Sequence, residues 1–156
     1  MLMSELRRFN AGTVHYLDFD GMAPIDPEMR KGRPVIVISP RNRREDDLVV
    51  VVPISTVPST TYKRHVVQIR HSELQHETWA KCDMPITVSI ERLLPYRRPK
   101  YERQNMPPPN VEISGTELRQ VREAVIRSIG AEDVLRRLSV EREQRRALRE
   151  ARLEDI

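Results

Sequence analysis

The sequence predicts a small antiparallel β-barrel or curled sheet with one helix packed on it near the C-terminus. Short β-branched and apolar runs recur between residues 12 and 90, separated by turn-forming residues and showing no helical period. The period then changes once, at Ser114, to helical spacing. Strands that follow one another without intervening helices pair antiparallel, so the class is mainly β, with α added at the end.

Each element follows from its residues. Residues 1–11 read as an N-terminal arm. Residues 12–19 (GTVHYLDF) are β-branched and aromatic, a first strand. Residues 20–32 are dense in Gly, Pro, Asp and Lys and form a loop longer than a plain hairpin needs, which favours a functional loop. Residues 33–39 (RPVIVIS) form a second strand, with Pro34 confined to its start or to an edge because proline cannot donate to a ladder. Residues 40–46 are a charged turn. Residues 48–55 (LVVVVPIS) are apolar on both faces and therefore central. Residues 56–63 are a Thr/Ser/Pro loop, residues 65–70 a fourth strand and residues 79–84 a fifth. Ile86, Val88 and Ile90 alternate with Thr87, Ser89 and Glu91, a clear period of two. Residues 94–110 carry five prolines, which excludes a regular element. Residues 111–113 read as a last short strand.

Ser114 followed by Glu117 forms a capping box, and Leu118, Val121, Val125 and Ile129 recur at helical spacing up to the stop at Gly130. Residues 131–138 continue as a short helix. Residues 140–156 hold too few spaced apolar groups to pack firmly and read as a solvated helix or a partner-binding tail. The organisation is thus an arm (1–11), a barrel domain (12–130) and a charged helical extension (131–156).

Composition narrows the chemistry. Apolar residues make up 38% of the 156 residues and charged residues 32%, enough for one modest core. The longest apolar run is far short of the ~20 residues of a membrane-spanning helix. The segment MLMSELRRFN lacks the apolar stretch of a secretory signal, and one cysteine, Cys82, excludes an internal disulfide. A reducing cytoplasm and no membrane partner are the expectation. Residues 132–156 hold seven acids and seven bases, so residues 1–131 carry the whole net charge of +4. Only four of the 27 bases are lysine, and arginine's planar fork suits phosphate, although a solvated surface of mixed sign fits the same numbers.

No glycine-rich phosphate loop, dinucleotide fingerprint or HExxH motif is present. No metal and no cofactor are expected, although carboxylates alone are able to hold magnesium. Cys82 reads as a buried structural thiol, with a nucleophile as the alternative. What remains is a rim. If strands two and three form a hairpin, the start of one lies beside the end of the other. Arg33 then approaches Ser55 and Thr56 under the long loop. A guanidinium converging with hydroxyls outlines a phosphate site. The plainer alternative is that Arg33 pairs with Asp83 or Glu28 while Ser55 caps a turn.

Several blocks in order carry a resemblance. Gly12-Thr13-Val14 with Asp18-Phe19 comes first, then Lys31-Gly32-Arg33-Pro34-Val35-Ile36-Val37-Ile38-Ser39-Pro40, then Val52-Pro53-Ile54-Ser55-Thr56. Ala80-Lys81-Cys82-Asp83 with Thr87-Val88-Ser89 and Arg92-Leu93 completes the set. Over residues 12–130 the chain resembles the PemK/MazF family of type II toxin–antitoxin endoribonucleases. The resemblance is closest to a longer branch with a KGRP-type second strand. It implies an SH3-like, partly open barrel that forms a homodimer. It further implies metal-independent cutting of single-stranded RNA, usually messenger RNA, through a 2′,3′-cyclic phosphate, with a cognate antitoxin as partner. Arg33 takes the place of the catalytic arginine, and Ser55 that of a hydroxyl more often supplied by threonine, with Thr56 beside it. The usual Asp-Gln pair is Asp83-Met84 here.

Around that site Arg30, Lys31, Arg41, Arg43, Arg44, Asp83, Arg97 and Arg98 are the expected RNA contacts, with Lys100 and Arg103 further along. Tyr62, Tyr96 and Tyr101 are placed to stack on bases. His15 and His65 are candidates for a general base, although a satisfied sheet histidine is the plainer reading of each. A catalytically silent binding module on the same barrel is the alternative function. The extension 131–156 is assigned to dimerisation or antitoxin contact.

Overall fold

A computed structural model describes residues 9–40, 47–57, 65–71, 73–74, 77–96 and 110–154. The strands are β1 (Val14–Asp18), β2 (Gly32–Val37), β3 (Leu48–Ser55), β4 (Val66–Ile69), β5 (Thr78–Lys81), β6 (Ile86–Ser89) and β7 (Leu94–Pro95). The helices are α1 (Gly115–Ser128) and α2 (Glu132–Glu154). The strands pair antiparallel in the order β4-β5-β3-β2-β1-β7, with β6 also on β3. The sheet curls without closing, as the predicted partly open architecture requires.

Strand β3 organises the rest. Along one edge it pairs with β2. Along the other, its first half (Leu48 to Val51) pairs with β6 and its end (Ile54, Ser55) with β5. Because side chains alternate along a strand, β3 serves two cores. Val52 and Ile54 join Val14, Ile36, Ile69, Ala80 and Cys82 under helix α1, which adds Val121 and Ala124. Val49 and Val51 join Leu17, Val35, Val37, Val88, Ile90 and Leu93 on the other face. Both faces of β3 are therefore apolar, and the LVVVVPIS run is its direct cause.

Helix α1 starts where its capping box places it. The Glu117 N–H donates to Ser114 Oγ (3.1 Å) and the Glu117 carboxylate accepts from the Ser114 N–H (3.2 Å). The same carboxylate accepts from the Arg70 N–H just beyond β4 (2.8 Å), tying the helix start to the sheet. Gly130 ends the helix at φ +76°, a left-handed turn that glycine takes without strain.

Several expectations need correction. Ile129 is 69% exposed at the helix end, because the chain is already turning there, and the small Ala124 takes the buried place instead. Glu132–Glu154 is one continuous helix rather than two stretches, since no glycine or proline interrupts it. Strand five ends at Lys81, where the Met84 N–H closes a turn onto the Lys81 carbonyl. Within residues 94–110 a two-residue strand, β7, does form against β1. Residues 111–113 make a single bridge, Thr13 to Glu112, rather than a strand. Phe9, assigned to the arm, stacks on His15 with ring centroids 4.9 Å apart and packs against the second core.

One close approach matters for the site. A Cβ at Gly32 would overlap the hydroxyl and ring of Tyr16, which lies across it from β1. Gly32 thus lets β1 and β2 meet next to Arg33. Replacing it, Gly32→Ala, is expected to cost about 1–3 kcal/mol through overpacking. A lower urea midpoint at unchanged m-value is the readout.

Candidate active site

The β2–β3 ladder places Val35 across from Pro53. Carried two residues further, that register sets Arg33 across from Ser55, with both side chains on the face of Val35. The β2–β3 hairpin on which the argument from sequence rested is present. Ser55 is buried (7% exposed), Thr56 is exposed and Arg33 is half-buried.

Arg33 is held from within the loop that precedes it. Its Nε–H donates to the Arg30 carbonyl (2.9 Å). Neither Asp83 nor Glu28 pairs with it; the Glu28 carboxylate accepts from the Ile25 N–H instead (2.9 Å). Fixing Nε aims the guanidinium and leaves its two terminal nitrogens without a partner among the described residues. The loop is itself braced. The Phe19 N–H donates to the Lys31 carbonyl (3.2 Å) and the Lys31 N–H to Asp20 Oδ1 (3.0 Å). Lys31 sits at φ +65°, a conformation a non-glycine residue adopts at some cost, immediately before Gly32 and Arg33.

Ser55 does cap a turn, as the plainer reading held. Its Oγ accepts from the Val57 N–H (3.1 Å). A hydroxyl that accepts one bond still has its own proton to donate. Both readings of Ser55 are thus compatible.

The sequence reasoning overlooked Lys81. It lies on β5, on the Arg33–Ser55 face, and its Nζ donates to the Val57 carbonyl (2.7 Å). Burial, and secondarily the nearby charge of Arg33, push its pKa below the ordinary lysine value, with the Asp83 carboxylate opposing them. Trp79, also overlooked, stands across from Ser55 in the β3–β5 register. These contacts join strands distant in sequence, and only the alternation of Trp79 and Lys81 along β5 hinted at a shared face.

The other expected contacts divide. Arg30 and Lys31 are exposed on the loop beside Arg33, and exposed Asp83 lies close enough to act on Lys81. Arg41, Arg43, Arg44, Arg97, Arg98, Lys100, Arg103, Tyr62 and Tyr101 lie outside the described residues. Tyr96 is half-buried against the first core. His15 is buried (5% exposed), shares a hydrogen bond with Thr13 Oγ1 (2.9 Å) and stacks on Phe9, the setting of a satisfied sheet histidine. The His65 carbonyl accepts from the Cys82 N–H (2.8 Å). A mainly apolar cavity of about 290 Å³, lined by Phe19, Met22, Pro24, Met29, Met84 and Ile86 among others, opens between the loop and residues 84–86.

Residues 10–129 match the family model described as PemK-like, MazF-like toxin of type II toxin-antitoxin system. The chain belongs to this family. A search of curated proteins finds no match. Among solved structures, MazF from Deinococcus radiodurans is similar at 18% identity and TM-score 0.55, covering 78% of this chain and 96% of that one. An endoribonuclease from a mycobacterial species, solved with its cognate antitoxin, matches at 18% identity and TM-score 0.52, covering 78% and 94%. The Mycobacterium tuberculosis toxin MazF-mt6 matches at 17% identity and TM-score 0.52, covering 76% and 96%. At these identities the likeness is one of fold. Helix α2 lies beyond the family match. Among the described residues, no helix is long and apolar enough to cross a membrane.

Cys82 is a core residue. It is fully buried, and desolvation together with the Asp83 carboxylate raises its thiol pKa to about 12. At pH 8 it is therefore protonated and shielded. Thiol reagents are expected to leave the native protein unmodified and to label one cysteine once urea unfolds it, as read by mass spectrometry.

Proposed function

We propose that the chain is the toxin of a type II toxin–antitoxin pair and cuts single-stranded RNA, chiefly messenger RNA, without a metal. The observation that carries this reading is the Arg33–Ser55 pair. Two strand ends carry a cation whose terminal nitrogens have no partner among the described residues and a buried hydroxyl, on one face by the register. In the reaction the RNA's own 2′-hydroxyl attacks the adjacent phosphorus. The P–O5′ bond breaks, leaving a 2′,3′-cyclic phosphate and a 5′-hydroxyl. Because the nucleophile belongs to the substrate, no water or metal has to be activated, and DNA, lacking that hydroxyl, is not cut. The terminal nitrogens of Arg33 meet the charge that develops on the phosphorane oxygens. Ser55 donates its remaining proton to a phosphate oxygen, with Thr56 as its exposed neighbour. Arg30 and Lys31 engage flanking phosphates, and Trp79 offers a ring for a base. The Met-lined cavity beside the loop accepts a base by shape rather than by hydrogen bonds to its edges.

A homodimer, and an antitoxin that covers this face, belong to the same reading. Similar structures include MazF with MazE and an endoribonuclease with its cognate antitoxin, which supports such a partner. Exposed Val57, beside Ser55, offers it an apolar contact.

Purified protein is expected to cleave RNA in excess EDTA and to leave cyclic phosphate ends when fragments are mapped. Arg33→Ala should slow cleavage roughly 10²–10³-fold with an unchanged melting temperature. RNA left intact after long incubation, yet bound, would instead make the chain a binding module.

Trp79 is the chain's only tryptophan. Its fluorescence is therefore expected to change on adding RNA made uncleavable by 2′-deoxy substitution, and to stay constant with a neutral oligosaccharide.

A further inference from the structure

Helix α2 lies beyond the family match, and among the described residues it adds no side chain to either core. From Arg136 to Leu153 every residue is exposed. Its cations are not spread evenly. Every base of α2 is arginine: Arg136, Arg137, Arg142, Arg145, Arg146, Arg149 and Arg152. Four of them, Arg142, Arg145, Arg146 and Arg149, follow the spacing i, i+3, i+4, i+7 and stand on one face of the helix. Helical spacing puts the acids of this stretch, Glu141, Glu143 and Glu150, beside that face rather than on it. The four side chains surround a shallow hollow of about 260 Å³ that no other described residue lines.

Among the described residues, the side chains of Arg142, Arg145 and Arg149 have no hydrogen-bond or ion-pair partner. Arg146 gives its Nε–H to the exposed Glu150 carboxylate (2.8 Å) and keeps its terminal nitrogens. An exposed pair of this kind contributes little and yields to a stronger anion. Like charges at these spacings repel one another and weaken the helix, so the face gains when an anion lies across it. A groove between α1 and α2 continues the cationic surface. Arg119, Arg122 and Arg127 line it together with Arg142, and Glu123 is the one acid among its described residues.

The face fits a phosphate chain better than a protein. Guanidinium forks match phosphate oxygens two at a time. Protein interfaces are centred on buried apolar and aromatic anchors, and between Arg142 and Arg149 this face has none.

We propose that the arginine face of α2 is a second nucleic-acid surface, which holds the phosphate backbone of single-stranded RNA outside the cleavage site. It reads charge and not sequence. Helix α1 packs on the face of β3 opposite Ser55, and α2 follows from α1, so the two contacts belong to different parts of the molecule. An RNA long enough to reach both is tethered, and each contact raises the effective concentration of the other. RNA as the occupant rests on the nuclease reading above, whereas the arginine face stands on its own geometry. The test reads binding alone, so the two fail separately.

Binding is measured on a long single-stranded RNA, 2′-O-methylated so that it is not cut, over a range of salt concentrations. The fourfold variant Arg142→Gln/Arg145→Gln/Arg146→Gln/Arg149→Gln is expected to bind about tenfold or more weakly at low salt. Its slope of log affinity against log salt should be shallower by about two to three, the mark of about four lost phosphate contacts. Arg136→Gln/Arg137→Gln, on other faces of the same helix, should lower the slope by less than about half a unit. Polyglutamate binding should change less than about twofold in the fourfold variant. Unchanged RNA affinity and slope in that variant would overturn the proposal. An equal loss per charge in the Arg136 and Arg137 pair would overturn it too, by leaving net charge as the only cause. A larger loss for polyglutamate than for RNA would give the face to an acidic protein and overturn it as well. If circular dichroism shows helix lost in the fourfold variant, Arg145→Gln/Arg149→Gln carries the test with about half the change in slope. A parent that binds RNA without cutting it, and loses that binding in the fourfold variant, would sink the nuclease reading and support this one.

Discussion

The alignment of β2 with β3 is the constraint on which the site depends. Val35 across from Pro53 sets the phase of both strands. Slipped by one residue, Ile36 and Ile54 would leave the first core and Arg33 would no longer face Ser55. The phase is held by burial on both sides of β3, because Val49 and Val51 belong to one core while Val52 and Ile54 belong to the other. Polar groups at the strand ends thus inherit their positions from apolar groups in the middle. A short face of Arg33, Ser55, Trp79 and Lys81 follows from this without any dedicated scaffold.

That face brings two cations and one carboxylate within reach of one another. Two cations on the strands that flank β3 repel each other, and the field of Arg33 is a minor reason, after burial, why Lys81 holds its proton less tightly. The Asp83 carboxylate acts on Lys81 more strongly than Arg33 does and in the opposite sense, so burial is the main reason for the lowered value. The backbone carbonyls of Arg30 and Val57 aim the two side chains while leaving both charges intact. A carboxylate in the same positions would have neutralised them.

Much of this was legible in the residues. Strand β3 lies where its apolar run begins and ends, the Ser114–Glu117 cap opens α1, and Gly130 closes it. Each of these signals is local. The Arg33–Ser55 approach was legible too, because a hairpin turns sequence order into neighbourhood. Lys81 was not, since its partner Val57 is 24 residues away and is reached through a strand pairing that no short pattern encodes. Ser55 was read as either a catalytic hydroxyl or a cap, and the geometry accommodates both. The two-part reading of the C-terminal extension failed for a simpler reason. A sparse apolar pattern lowers the tendency to pack, but it does not break a helix, and α2 runs on through it.

The ends of the sheet have a consequence of their own. An open sheet presents unpaired backbone groups at its margins, an invitation to add strands from other molecules. Here one margin is β4, four residues long, and the Glu117 carboxylate of α1 claims the N–H immediately beyond it. A second margin is β7, two residues long and ending in Pro95, which has no N–H to offer; β6, paired among the described residues only with β3, is a third. Two margins of this unclosed sheet thus offer little backbone to a strand from another molecule, and the helix cap that begins α1 doubles as cover for one of them.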